Sequence, residues 1–441
     1  MRRTNLLVRV ILILAVVFSL ILSFLIWTNN QRYERRTDTE AGTTTDSITS
    51  ANQQNLSQVY LPTAVVNVDN KKNQTLVYNH KENLALEVRQ VVQKWTFHSF
   101  RRSAVSYHEL MNQSGTVQMI YADQMSLKLF GSVVKQERLK DVVNDIAFTR
   151  IIFSTSNNLA HVYFLDDISQ KVWQSRISET RIATIRHLVT KADMNLAVSQ
   201  EQLGERPQVF FKNEVTLRPY SYLINRRNEN TYISALMSND KNTNVESRES
   251  GGQTTYYGGS YHNQLTVDHR SDQLTFSNNS QTDVPNNLKS LLENSFTALT
   301  DIGNPLTDIR YYSVDQTNNM VAFRSFVEGF PIFQQSDFGS VKVKFSNTGS
   351  QTAFSSRILQ VPVPAKANQV TLPATETVMN KLVAANYSRK SIQNLVIGYR
   401  WVTDTTDADI VDLMPTYYVK INNRWRDYQD WLQDQTGTEA Q

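Results

Sequence analysis

Hydrophobic positions along this chain change regime twice. Val10 to Trp27 carries no charge, no glycine and no proline. With Leu6 to Val8 added and Arg9 snorkelling, a helix rising about 1.5 Å per residue crosses the roughly 30 Å hydrocarbon core of a bilayer. The pattern predicts a transmembrane helix over 10–27, with Trp27 as an interfacial anchor. Arg2, Arg3 and Arg9 favour a cytoplasmic segment over 1–9, an effect softened by Arg32, Arg35 and Arg36 beyond the run. The bulky Ser23 to Thr28 end suits a signal peptidase poorly, so the run reads as an uncleaved signal anchor with the bulk of the chain outside. Residues 28–58 then form a flexible tether, because the Thr, Ser, Asn and Gln of 32–58 cannot bury a core.

From Val59 the pattern alternates between strand and helix periods. Val59 to Val68 is apolar and β-branched, and a strand is expected near Leu76 to Tyr78. Leu84, Val88, Val91, Val92 and Trp95 predict a helix over about 80–97. Thr116 to Tyr121 reads as a strand, and Phe148 to Phe153 with Leu159 to Phe164 as a hairpin. Ser178 and Glu179 open a helix carrying Ile182, Ile185 and Leu188, and Gly204 with Pro207 marks a boundary. Ser247 to Gly259 reads as a mobile loop ahead of an antiparallel meander carrying Leu265, Val267, Leu274 and Phe276. A helix follows Val284-Pro285, with Leu288, Leu291, Leu292, Phe296 and Leu299 on one face. Further strands are expected at Ile309 to Val314, Val321 to Val327, Pro331 to Phe333 and Val341 to Phe345. A helix after Pro373 buries Val378, Met379, Leu382 and Val383; Leu395 to Trp401 and Met414 to Ile421 close the chain as strands.

The resulting fold class is α+β: one N-terminal transmembrane helix, then an extracytoplasmic body of antiparallel sheets with packed helices. Its expected domains are 59–205, 206–305 and 306–430, with a tail over 431–441. Meander plus helix occurs in both of the last two, as a diverged duplication would give.

Composition narrows the chemistry. The chain of 441 residues has no cysteine, which removes disulfides, thiol nucleophiles and Cys-ligated metals. Its net charge of +4 is spread along the chain, which argues against a nucleic-acid surface. Ser132-Val133-Val134-Lys135 matches S-x-x-K, but the companion S-D-N and K-T-G motifs are missing. Asp404, Asp407 and Asp409 lack the glycine and distal Glu of a calcium loop and read as a solvated turn. His262 and His269 lack metal-site spacing, and Asp166-Asp167 reads as a turn. No phosphate-cradling glycine loop occurs, so no catalytic residue, cofactor site or metal site is assigned. The membrane run is more informative: Ala15, Ser19 and Ser23 recur every four residues as a small-residue strip suited to a partner helix. Alternatively each Ser bonds its own i−4 carbonyl and the strip faces lipid.

Several stretches resemble the YycH (WalH) family, membrane-anchored regulators of the YycG/YycF (WalK/WalR) two-component system of low-GC Gram-positive bacteria. They are Trp27-Thr28 with Tyr33-Glu34, Tyr60 to Val66, Phe326 to Phe333, Ile397 to Trp401 and Leu413 to Val419. The resemblance spans essentially the whole chain and rests on the order of these stretches and the single N-terminal anchor. It implies three α+β domains outside the membrane and no catalysis. It also implies complexes with a YycI-like sister protein and the sensor histidine kinase, whose membrane helices touch one another and tune kinase activity and, through it, cell-wall hydrolase expression. The competing possibilities are a tethered wall-binding or wall-processing protein, and a scaffold that binds another exported protein through a sheet edge.

Overall fold

The computed structural model describes residues 56–79, 84–140, 142, 144–154, 161–177, 182–237, 245–258, 261–280, 283–303, 308–333, 339–363, 368–403, 407 and 409–436. The apolar run at 6–27, with Arg2, Arg3, Arg9, Ala15, Ser19, Ser23 and Trp27, lies outside them, as does nearly all of the expected tether. Among the described residues, no helix is long and apolar enough to cross a membrane.

The first sheet has nine strands. They are β1 (Ala64–Val68), β2 (Gln74–Tyr78), β3 (Phe97–Arg102), β4 (Thr116–Ser126) and β5 (Ala147–Ser154). β6 (His161–Leu165), β7 (Val172–Ile177), β8 (Met194–Leu203) and β9 (Arg206–Phe211) complete it. The spatial order is β3-β7-β6-β5-β4-β1-β2-β8-β9, and neighbouring strands run antiparallel. β1 is central and buried on both faces. Val65 faces one large core while Val66 and Val68 face another, which is why the strand reads as a continuous apolar run.

β10 (Val215–Leu217) pairs with β22 (Val370–Leu372) as a separate ladder. The remaining strands join in a fourteen-stranded sheet. They begin with β11 (Tyr220–Arg226), β12 (Glu246–Ser250), β13 (Gln253–Gly258), β14 (Asn263–Asp268) and β15 (Gln273–Asn278). β16 (Ile309–Asp315), β17 (Met320–Val327), β18 (Phe330–Phe333), β19 (Ser340–Ser346), β20 (Gly349–Ser355) and β21 (Arg357–Val363) follow. β23 (Ile392–Thr403), β24 (Ile410–Ile421) and β25 (Arg424–Asp427) end the set. β15 pairs with β20, so strands on both sides of residue 305 share one sheet. The sheet is antiparallel except where β18 runs parallel to β23.

The helix Leu288–Asp301 is set by an Asn287–Ser290 capping box and buries Leu288, Leu291, Leu292 and Leu299. Its Leu292 carbonyl accepts a 2.6 Å hydrogen bond from the Tyr60 hydroxyl, tying the start of the body to its middle.

Several expectations need correction. Val59 ends a short helix, Leu56–Val59, and the strand begins only at Ala64, beyond Pro62. The helix expected over 80–97 is Leu84–Gln93; Trp95 lies beyond it, packed edge-on against Phe153 at 5.7 Å, and Phe97 opens β3. Ser247 to Gly259, expected as a mobile loop, is instead mostly the β12–β13 hairpin. Gly251 and Gly252 take φ values of +61° and +82° at its tip, a two-residue turn that needs left-handed backbone at both positions. Val383 is 46 % exposed, because the helix Thr375–Ala384 buries Val378, Met379 and Leu382 on a narrower stripe. Gly204 and Pro207 sit at the β8–β9 hairpin, which continues the first sheet to Phe211.

Candidate functional site

Strand register builds the site. Asn394 on β23 lies directly opposite Lys420 on β24, and Val396 lies opposite Tyr418. Alternation therefore sends Asn394, Val396, Tyr418 and Lys420 to one face, while Leu395, Ile397, Tyr417 and Val419 enter the core on the other. Facing that polar pair are Ala122 and Asp123 of β4, Arg206 and Pro207 of β9, and Arg310 and Tyr312 of β16. Between them lies a cavity of about 220 Å³, whose walls also include Phe330, Trp425 and the Arg150 partner Asp167.

Most charges in these walls are matched. Arg206 reaches Asp123 at 3.2 Å and donates to the Ala122 carbonyl at 2.9 Å. Burial works against its charge, but Asp123 outweighs that and holds the guanidinium above its ordinary range. Asp123 also accepts from the backbone amides of Gln124 at 2.9 Å and Val314 at 3.2 Å, which joins the two sheets. Arg310 forks onto Asp308 at 3.0 and 2.8 Å and lies 4.7 Å over the Phe326 ring.

Lys420 differs. It is half-buried, and its side chain makes no ion pair or hydrogen bond with any described residue. Burial first, and the nearby Arg206 charge second, push its ammonium below the ordinary lysine value, while Asp123, Asp315 and Glu205 act in the opposite direction. Across the ladder, Asn394 Oδ1 is buried and accepts no hydrogen bond from the described residues. Arg206 and Arg310 are thus paired directly, whereas Lys420 faces Asp123, Asp315 and Glu205 without direct contact.

Behind the cleft sits a buried ion pair. Arg150 is fully enclosed, donates to both Asp167 oxygens at 2.7 and 2.8 Å, and reaches Gln118 at 2.8 Å and Gln200. Tyr107 donates to the same carboxylate at 2.7 Å. Burial and then the Asp167 charge raise the Tyr107 hydroxyl well above the tyrosine range.

The residues singled out from sequence scatter. Asp166 closes a turn by accepting from Ser169 Oγ at 2.6 Å, as expected, whereas Asp167 belongs to the buried pair. Ser132 lies in the last turn of the helix Leu127–Val133 with its hydroxyl toward the Lys128 carbonyl at 3.5 Å, and Lys135 follows with φ +55°. Asp407 accepts from the Asp409 amide at 3.0 Å in a local turn, and Asp404 lies outside the described residues. His269 meets Thr254 at 2.8 Å on the β12–β15 ribbon, and among the described residues no group of acidic or histidine side chains converges as a metal site. Sequence reasoning missed Asn394 and Lys420. The available signal was Lys420 as the only charge in the apolar stretch Met414 to Ile421.

Two family models match. The YycH protein N-terminal domain matches residues 7–194, and the YycH protein C-terminal domain matches 206–435. The crystal structure of YycH from Bacillus subtilis superposes with a TM-score of 0.68 at 14 % identity, covering 85 % of this chain and 97 % of that one. That likeness is one of fold. An uncharacterized protein from Eubacterium rectale ATCC 33656 aligns with a TM-score of 0.31 at 10 % identity, over 48 % of this chain and 82 % of its own. No curated protein matches significantly.

Proposed function

The chain belongs to the YycH family, and on that premise we propose that it is a non-enzymatic regulator of the YycG (WalK) histidine kinase system, held at the cell membrane by residues 10–27. The observation that carries this is the pair of family matches, which together reach from residue 7 to residue 435. The apolar run supports the anchored part of the proposal, since its length suits a single crossing. Arg2, Arg3 and Arg9 support a cytoplasmic N-terminus, with the sheets on the outer side.

Regulation then works as a population shift. The kinase has two signalling states, and the anchor helix binds one better than the other, so its presence biases the equilibrium by that differential affinity. Ala15, Ser19 and Ser23 are the contact face, because small residues spaced four apart let helix backbones approach closely. A YycI-like sister protein completes the complex.

The test is autophosphorylation of the cognate kinase in liposomes, with and without this protein and its sister protein. A changed rate that persists with residues 1–36 alone supports regulation through the membrane helix. No change with the full-length pair defeats the proposal. Ala15→Leu, Ser19→Leu and Ser23→Leu together should reduce copurification with the kinase; undiminished copurification removes those residues as the contact face.

A further inference from the structure

An open sheet edge is a template for another strand, and proteins usually block it. The two large sheets end in four strands, β3 and β9 in the first and β12 and β21 in the second. Three of these carry a blocking device. β3 has a bulge against β7 between Phe97 and Phe100, β9 carries Pro207, and β21 carries Pro362 beside a register shift against β11. β12 has neither device. It pairs with β13 without interruption from Glu246 to Ser250, contains no proline, and is exposed at every residue. No described strand lies on its outer side.

Its side chains specify what fits there. Register places Glu246 and Arg248 on the face of Tyr257 and Thr255, and Ser247 and Glu249 on the face of Tyr256 and Thr254. The Tyr261 hydroxyl donates to Glu246 at 2.6 Å and holds that carboxylate in place. The Arg248 side chain makes no ion pair or hydrogen bond with any described residue. A second copy related by a two-fold axis normal to the sheet keeps the faces matched, so the two strands pair antiparallel about one central residue. Centring on Ser247 sets Glu246 of each copy opposite Arg248 of the other, a square of alternating charges. Centring on Arg248 opposes two arginines, and centring on Glu246 or Glu249 opposes two glutamates. Centring on Ser250 runs the pairing off the end of the strand. Charge therefore selects one register. In it Val245, 38 % exposed, lies opposite the Glu249 stem of the second copy.

We propose that β12 is a self-pairing edge through which two copies of this chain join their fourteen-stranded sheets, antiparallel and centred on Ser247. The free backbone groups of the strand supply the attraction, and the four charges fix the register. A strand of one charge sign, or an apolar one, leaves Glu246 or Arg248 unmatched, which favours a second copy over other strands. A five-residue strand makes a contact smaller than a standard interface, so the association is weak and depends on local concentration. It holds or fails independently of the kinase reading, because its test needs no kinase.

The chain has no cysteine, so a single substitution supplies its only thiol. Full-length Ser247→Cys protein, reconstituted densely in liposomes, should form a disulfide-linked dimer on mild oxidation, since opposed Cα atoms lie about 4.5–5.5 Å apart. Ser250→Cys should crosslink about ten-fold more slowly or less, because this register staggers its two copies by about 20 Å. Adding Arg248→Glu to Ser247→Cys makes both attractive pairs repulsive and should slow the crosslink about ten-fold. Adding Glu246→Arg as well restores unlike pairs with the signs exchanged, and should recover most of the rate. Circular dichroism should be unchanged throughout, as each altered residue lies on the exposed strand. No crosslink from Ser247→Cys overturns the pairing. Equal crosslinking by Ser250→Cys, no effect of Arg248→Glu, or no recovery in the charge-exchanged variant overturns the register and with it the proposal.

Discussion

The Tyr78 hydroxyl donates to Glu328 Oε2 at 2.8 Å across 250 positions of sequence. Tyr78 ends β2 in the first sheet, and Glu328 begins the tight turn between β17 and β18 in the second. The turn needs left-handed backbone at both central residues, with φ +51° at Glu328 and +77° at Gly329. Gly329 lies against the Tyr78 ring so closely that a Cβ there would sit 2.4 Å from Cε2. Burial, and then the Glu328 charge, keep the phenol protonated far above its ordinary range. One phenol resting on one glycine thus sets how the second sheet meets the first.

Gly329→Ala should destabilise the protein by about 2–4 kcal/mol, the sum of left-handed strain and overpacking. Tyr78→Ala removes the ring that the new methyl strikes, so the double variant should be more stable than the two single losses predict. Urea unfolding of all four proteins measures this coupling. Additivity within about 0.5 kcal/mol would show that the ring and the turn are independent.

Arg150 and Asp167 predict a different kind of loss. Both are buried, at 0 % and 3 % exposure, and the guanidinium forks onto the carboxylate. Removing one partner strands the other charge among apolar strands, so Asp167→Leu and Arg150→Met should each cost about 3–5 kcal/mol. Arg150→Met with Asp167→Leu should recover part of that loss, since the buried charges leave together. A double variant as unstable as the sum of the singles would place the cost in Tyr107, Gln118 and Gln200 instead.

Periodicity located most body strands because alternation records burial on one face, as at Leu265, Val267 and Leu274. It failed where a tertiary partner set the backbone. Trp95 continues the helical spacing of Leu84 to Val92, yet Phe97 pairs with Ile177, and that ladder stops the helix at Gln93. Gly251-Gly252 reads as flexibility in composition, but two left-handed residues in succession are what a tight hairpin requires. The candidate site was almost illegible. Asn394 and Lys420 are 26 positions apart in a sequence of alternating residues, and only the antiparallel register of β23 and β24 places them side by side. The matched charges of Arg206 with Asp123 and Arg150 with Asp167 carry no local motif, since each pair joins separate strands.

Alkali should unfold the protein through its tyrosines. Burial pushes Tyr232 and Tyr417 up to about 12, and burial with neighbouring acids holds Tyr60 and Tyr311 well above the ordinary value. In the unfolded chain each titrates near about pH 10. A raised folded value means that the stabilisation is fully present below about pH 10 and is lost as pH rises toward the folded values. Absorbance at 295 nm should therefore show an exposed subset of the 19 tyrosines ionising first. The buried set should follow in one cooperative step coincident with loss of circular dichroism. Smooth ionisation of all tyrosines near pH 10, with the fold retained, would contradict their burial.

Lys420 makes the opposite prediction, a residue whose removal stabilises the protein. Its ammonium is half-buried, repelled by Arg206 and unpaired by any described residue, so the folded state disfavours its charge. Lys420→Met keeps an unbranched stem on the face it shares with Val396 and discards the charge, and should raise stability by about 0.5–1 kcal/mol, kept modest by partial solvent access. The sign of the pH dependence separates this from a general packing gain. A lysine with a lowered folded value binds fewer protons folded than unfolded, so wild-type stability rises with pH from the folded value toward about 10.4. The advantage of Lys420→Met should accordingly be largest at neutral pH and narrow toward pH 9.5, before tyrosine ionisation intervenes. Urea midpoints of both proteins between about pH 7 and 9.5 measure it. A variant less stable than wild type at neutral pH would mean that Lys420 already satisfies its charge within the fold. Such a lysine would be structural.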